Sequence, residues 1–294
     1  MLQIQTIGIA SGLAGNHDAC GKGPITLRDS PYLNSQCAQH GIQLDWLPLL
    51  EAEPFLSKHQ AIKKLCHQAE LASFNCITNK KPFIFFSGEH AYAMGIWKGV
   101  MSALATLEFP AKKLGLIWID AHMDAHTFVS SPSGNVHGMP VAALLGQGDA
   151  QLNEIYGDGP VLDANCLGLF GVRSYEQAEA DLLKRLGIME IPMTEIKQKS
   201  LKGLLSILCK QVLKHADCFA VSIDIDAIDP KDAPAVGVPE PGGLKAKTLC
   251  DALKQFNNDP LFIGLEIAEY SPDYDQNNKT LNVITELLIA LYGQ

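Results

Sequence analysis

The chain has no uninterrupted apolar stretch of about 18 residues or more, so a membrane-crossing helix is not expected. It lacks a basic excess. Lys and Arg number 23 against 32 Asp and Glu, a formal net charge of −9 with histidine neutral, and no basic patch offsets it. Phosphate polymers would be repelled, which argues against a nucleic-acid partner. Paired cysteines are missing as well: the eight Cys (20, 37, 66, 76, 166, 209, 218, 250) are scattered with no Cys-x-x-Cys pair. They read as reduced packing residues rather than disulfides or thiolate ligands. The start, MLQIQTIGIASG, carries no charged segment leading into a long apolar run and cleavage site, so a soluble cytoplasmic protein is expected. Neither a G-x-x-x-x-G-K-[ST] phosphate loop nor a dinucleotide fingerprint is present, and no nucleotide cofactor is implied. Without a linker, repeat or low-complexity segment to divide them, residues 1–294 read as a single domain; at 47% hydrophobic they can bury a large core.

What is there is an alternation of two patterns. Apolar runs of strand composition occur at Gln3–Ala10, Ile42–Leu47, Pro82–Phe86, Leu114–Ile119, Asn165–Gly171, Phe219–Ile223 and Leu261–Leu265. Between them, helical spacing marks Lys58–Ser73, Ala91–Thr106, Met139–Leu145, Glu176–Leu186, Leu201–His215 and Lys247–Phe256, and Leu281–Leu291 closes the chain. Such alternation predicts an α/β fold: three αβα layers around a mostly parallel central sheet. Unusual polar residues follow four of the strands: His90, Asp120, Asp224 and Glu269. The carboxyl ends of parallel strands share one edge, so four distant segments are expected to meet in one crevice.

Two short segments concentrate the chemistry. Asp120-Ala121-His122-Met123-Asp124 places ligand-type side chains at i, i+2 and i+4, and Asp224-Ile225-Asp226 repeats the spacing. If extended backbone persists past the strand ends, each set points one way. Single acidic residues at strand ends are ordinarily solvated turn formers. Carboxylates flanked by Ile223 and Ile225 are costly unless cations compensate them. Asp120, Asp124, Asp224 and Asp226 carry −4, which two divalent ions would neutralise; with His90 and His122 the donor set suits manganese better than all-oxygen magnesium or calcium. Two such ions lower the pKa of a shared water and aim it at an electrophilic carbon, so metal-assisted hydrolysis is the expected reaction class. Glu269 is then left to meet a cationic substrate.

With these residues on the page, the chain resembles the ureohydrolases, the family of arginases, agmatinases and formiminoglutamases, over nearly its full length. The resemblance is carried by Gly21-Lys22-Gly23-Pro24 with Leu27-Arg28, by Ser87-Gly88-Glu89-His90 where the family has Gly-Gly-Asp-His, by residues 120–124, by Ser222 through Pro230, and by Pro239-Glu240-Pro241-Gly242-Gly243-Leu244. It implies the arginase-like fold and two manganese ions. His90, Asp120, Asp124 and Asp224 would hold one; Asp120, His122, Asp224 and Asp226 would hold the other, with Asp120 and Asp224 bridging. Ser133-Gly134-Asn135-Val136-His137-Gly138 is similar to the arginase branch. Ser133 and Asn135 would then meet a substrate carboxylate, His137 would shuttle protons, Asp124 would help stabilise the tetrahedral intermediate, Glu176 would meet the α-amino group and Glu269 would grip the guanidinium. The implied reaction is hydrolysis of a guanidino amino acid, most simply L-arginine to L-ornithine and urea, by a homo-oligomer (trimer or hexamer).

Departures from the arginase pattern bear on the substrate. His126 stands where arginases have an Asn that helps read the carboxylate, Val238 replaces a Thr, Ser174 replaces an Asp, and Ser87 and Glu89 alter the first block. An agmatinase, a formiminoglutamase or another guanidino-acid amidinohydrolase remains open. Agmatine lacks the carboxylate for Ser133 and Asn135, and formiminoglutamate lacks a full guanidinium for Glu269. A metal-stabilised binding or regulatory module is the alternative from outside enzymes, and the presence of both His137 and Glu269 argues against it. His17, His40, His59, His67 and His215 lack carboxylates at ligand spacing and read as surface or capping residues. Met101, Met123, Met139, Trp46, Trp97 and Trp118 read as core.

Overall fold

A computed structural model describes residues 1–15, 18–106 and 112–294; His17 lies outside them. Nine strands are found among the described residues: β1 (Leu2–Ala10), β2 (Ile42–Trp46), β3 (Leu50–Glu51), β4 (Phe83–Ser87), β5 (Leu114–Ile119), β6 (Leu167–Phe170), β7 (Met189–Ile191), β8 (Cys218–Asp224) and β9 (Phe262–Ala268). They form one sheet in the order β2-β1-β4-β9-β8-β5-β6-β7, with β3 paired to the end of β1, and each pairing is parallel. The apolar runs are continuous because both faces of the sheet are covered. Successive side chains alternate between two cores. Phe83, Phe85, Leu114, Leu116 and Trp118 enter one, shared with helices Lys58–Thr78, Ala93–Thr106, Pro140–Leu144, Ala150–Tyr156 and Gln177–Leu186. Ile84, Phe86, Ile117, Ile119, Val221 and Ile223 enter the other, shared with helices Pro31–Gln39, Leu201–Val212, Ala246–Leu253 and Lys279–Tyr292. Each such side chain contributes roughly 1.5–3 kcal/mol by leaving water. The expected αβα layering is therefore present.

Each predicted strand and helix is found, with shifted ends. The helix begun at Lys58 runs to Thr78 and starts from a capping box between Ser57 and Gln60, an N-terminal signal that sets its first residue. It packs backbone to backbone against Ala93–Thr106, because a Cβ at Gly95 or Gly99 would overlap the carbonyl oxygens of Cys66 and Glu70. Strands β3 and β7 were not expected. They span two and three residues, too short to show a hydrophobic period. Helices Pro31–Gln39 and Ala150–Tyr156 were also missed, although each follows a side-chain cap: Ser30 accepts from Leu33 N–H and Asp149 from Leu152 N–H.

Strands β4, β9, β8 and β5 are consecutive neighbours in the middle of the sheet. Ser87 pairs with Ala268 and Ala268 with Asp224, while Ile119 pairs with Ile223. This register aligns the four carboxyl ends and brings together the residues that follow them.

Candidate metal centre and substrate cleft

The floor of the cleft is built on those four strand ends. Asp120 and His90 are buried to within 1% of full exclusion, and His90 stacks flat on Trp118 with ring centroids 3.9 Å apart. The His90 Nε2–H donates to Ser222 Oγ (2.8 Å), whose hydroxyl donates to Glu266 Oε2 (2.8 Å); Ser87 Oγ donates to Glu266 Oε1 (2.7 Å). Nδ1 faces Asp120 Oδ2, Asp124 Oδ2 and Asp224 Oδ2 at 3.0, 3.4 and 3.4 Å. Burial opposes a charge on the ring, but these carboxylates raise its pKa well above the usual imidazole value, and with a cation bound here Nδ1 would be the nitrogen that offers its lone pair. His122 Nδ1 lies 3.0 Å from Asp226 and 3.6 Å from Asp120, while its Nε2 faces Glu240 at 3.7 Å. Backbone and indole N–H groups aim the carboxylates: Trp118 Nε1 and His122 N donate to Asp120, Ala121 N to Asp226, and Asp226 N to Asp224.

The side chains converge, but not by continued strand geometry. β5 ends at Ile119, and Asp124 takes a left-handed backbone with φ +50°. Asp224 is the last residue of β8, and Asp226 sits in the following 3-10 turn Ile225–Ala227. Thus the i, i+2, i+4 spacing works through a tight loop, where backbone and indole N–H groups aim Asp120, Asp224 and Asp226. Glu269 also has a left-handed backbone, φ +70°. Such a conformation in a non-glycine residue costs about 1–3 kcal/mol and persists only where surrounding contacts impose it.

The charge balance shows what the floor requires. Burial, then the neighbouring Asp226 and Asp120 charges, push Asp224 well above the usual carboxylate range, and burial with the Asp120 charge pushes Asp124 up to about 7. Burial raises Asp226 too, against the pull of His122. Asp120 is held low: its contacts with His122 and His90 outweigh its burial. Fully ionised, the four carboxylates would carry −4, and two protonated imidazoles would return only +2. Neutral imidazoles with two divalent cations balance the charge, and ligand atoms fall into two triads, His90/Asp120/Asp224 and Asp120/His122/Asp226, each within 4.8 Å. Asp120 belongs to both. The residues present therefore fit a pair of metal ions.

Above this floor the cleft is lined by Asp124, His126, Ser131, Ser133, Asn135, His137, Glu176, Glu179, Val238 and Glu269, among others. Glu269 is 5% exposed; its Oε1 accepts from His90 N–H (3.0 Å) and its Oε2 from the Cys20 thiol (3.3 Å). Burial would raise its pKa, but His137 and these donors hold it below the usual value. His137 Nδ1 lies 3.6 Å from Glu89 and 3.7 Å from Glu269, and Glu269 raises its pKa against the effect of burial.

A match to the family described as the Arginase family covers residues 3–293. The chain belongs to the arginase family. Among curated relatives, an arginase of Brevibacillus brevis is 34% identical over 210 residues, covering 71% of this chain and 68% of its own. One of Bacillus caldovelox is 33% identical over 211 residues, covering 72% and 68%. The native arginase structure of Bacillus caldovelox at pH 5.6 superposes with a TM-score of 0.89 at 28% identity, over 100% of this chain and 99% of that one. A Bacillus subtilis formimidoylglutamase, at 19% identity and TM-score 0.75 over 99% and 86% of the two chains, shares the fold.

Within this arginase-family chain the cleft brings together each site residue expected from the sequence. It adds others. Trp118 is core, as expected, but it also donates to Asp120; Cys20 is a buried free thiol, yet bonds Glu269 and Ser271. Glu266, fully buried in β9, anchors the serine relay behind His90. Its charge within an apolar strand was the available signal. Arg173 ties the carbonyls of Gly171, Asp226, Ala227 and Glu240 beneath the site. Glu179 had no sequence signal beyond lying three residues after Glu176.

Proposed function

We propose that the chain is a metal-dependent hydrolase of guanidino amino acids, most simply converting L-arginine to L-ornithine and urea. The carrying observation is the meeting of a cation-deficient floor with Glu269 and His137 in one cleft. His90, Asp120, Asp124 and Asp224 would hold one manganese and Asp120, His122, Asp224 and Asp226 the other. Bound there, the ions would supply Lewis-acid activation of a water. Glu269 accepts guanidinium N–H bonds and sets the guanidinium carbon over the floor. Asp124, forced into its left-handed turn, accepts a hydrogen bond from the tetrahedral centre. His137 delivers a proton to the departing amine, with Glu269 and Glu89 facing its Nδ1 side. Ser133 and Asn135 meet the carboxylate of the substrate, and His126 and Glu176 border its amino-acid end. The reading extends to a single catalytic domain assembled as a homo-oligomer in the cytoplasm. Its support is the family resemblance, together with the lack of a helix long and apolar enough to cross a membrane among the described residues.

The test is urea and ammonia release from arginine, agmatine, formiminoglutamate and shorter guanidino acids, with manganese and after chelation. Urea from arginine that disappears on chelation and returns with manganese is expected. Ammonia release from formiminoglutamate alone, or urea from agmatine alone, would reassign the substrate.

A further inference from the structure

The β6 side of the cleft holds two carboxylates that would meet a cationic tail group, Glu176 and Glu179, and the chain already occupies them. Glu179 is 3% exposed. Its Oε1 accepts from Ala125 N–H (3.0 Å) and its Oε2 from Glu176 N–H (3.0 Å), with His126 Nε2 3.2 Å away from Oε2. The same Nε2 stands 2.8 Å from Glu176 Oε2. Nδ1 of the ring meets Ser130 Oγ at 3.1 Å, and that hydroxyl also accepts from Thr127 N–H (3.0 Å), which ties the ring to the loop over the cleft. His126 is itself 6% exposed. An imidazole with its proton on Nε2 donates to the two glutamates whether or not Nδ1 is also protonated, so the occupation does not depend on charge.

A substrate ammonium arriving here would have to displace a fixed N–H donor. Failing that, it would pair with the outer part of Glu176, whose side chain is 57% exposed and where water screens the gain. The geometry points to His126 as a specificity-determining residue that fills the cation position at the cleft's outer end, making the substrate class ω-guanidino carboxylates with no requirement for an α-ammonium. The tail is then read by its carboxylate through Ser133 and Asn135. This rests on the reading of the cleft as a guanidino-acid hydrolase, and it concerns only the tail.

The test compares L-arginine with 5-guanidinopentanoate, which keeps the guanidinium, chain length and carboxylate and lacks the α-ammonium. Urea release is measured with the manganese-loaded enzyme, wild type and His126→Asn, with His126→Gln as a second variant should the first fail to fold. In wild type, kcat/KM for arginine is expected to exceed that for 5-guanidinopentanoate by less than about tenfold; in the variant the arginine advantage is expected to grow by about tenfold or more. A larger wild-type preference for arginine, or a ratio that the variant leaves unchanged, overturns the assignment. If neither compound yields urea, the hydrolase reading fails instead. Thermal shifts of the metal-loaded wild type with the two compounds then decide the tail: comparable shifts support the occupied subsite, and a shift with arginine alone refutes it.

Discussion

Two of the cleft's clusters of histidine and carboxylate, the floor and the outer end, differ in what they lack. On the floor, four aspartates crowd around two imidazoles, and with all four ionised the charge closes only with added cations. At the outer end, Glu179 receives N–H groups from Ala125, Glu176 and His126, so the chain supplies the donors itself. Similar residue types thus make a cluster that could hold metal in one place and a self-satisfied network in the other. The difference lies in the count of N–H donors per buried carboxylate and in which ring nitrogen faces the cluster.

Substitution should break this contrast most sharply on the floor. Asp120→Asn removes the carboxylate shared by both triads, and manganese-dependent turnover is expected to vanish; wild-type urea release with a full complement of bound metal would refute the shared role. Glu269→Ala comes next. Removing one partner of a buried charge pair costs about 2–5 kcal/mol, so kcat/KM should fall by roughly two orders of magnitude or more, with metal content unchanged. A neutral outcome would move the guanidinium anchor elsewhere.

Ser222→Ala sharpens the comparison without touching a ligand. It cuts the relay from His90 Nε2 to Glu266, frees the ring to rotate, and should weaken manganese binding by about 10–100-fold in a metal titration. Affinity equal to wild type would show that stacking on Trp118 alone orients the ring.

The smallest effect is expected at the outer loop. Asp149 caps helix Ala150–Tyr156 and also accepts from Val129 N–H (2.9 Å) in the loop over the cleft. Burial works against ionisation here, but the Leu152 and Val129 N–H bonds outweigh it and hold the carboxyl below its ordinary value of 3.8. The folded pKa is depressed, so this stabilisation is present above pH 3.8 and is lost as pH falls through the lower folded value. Asp149→Ala should lower stability by about 1 kcal/mol near neutral pH, and the gap to wild type should close under strong acid. A denaturation series that shows no gap at neutral pH would remove the cap from the account.

Most of the candidate metal floor was legible in the sequence as a chemical anomaly, because acidic residues beside Ile223 and Ile225 violate the ordinary cost of burial unless something compensates them. The four strands beneath it were legible too, from their apolar runs. The short strands β3 and β7 were not, since two or three residues carry no period. Glu179, Glu266 and Cys20 were also out of reach as partners, because the atoms they meet lie 44 or more residues away along the chain, apart from Glu176.

The amino-acid order by itself determined the alternating α/β architecture and the candidate ligand types, since hydrophobic period and residue chemistry are local properties of a chain. Only the folded arrangement decided that His126 turns Nε2 to Glu176 and Glu179 while His90 turns Nδ1 to the aspartates. Which nitrogen of an imidazole carries its proton, and toward what, depends on donors and acceptors brought from other strands, and residue spacing does not encode that pairing.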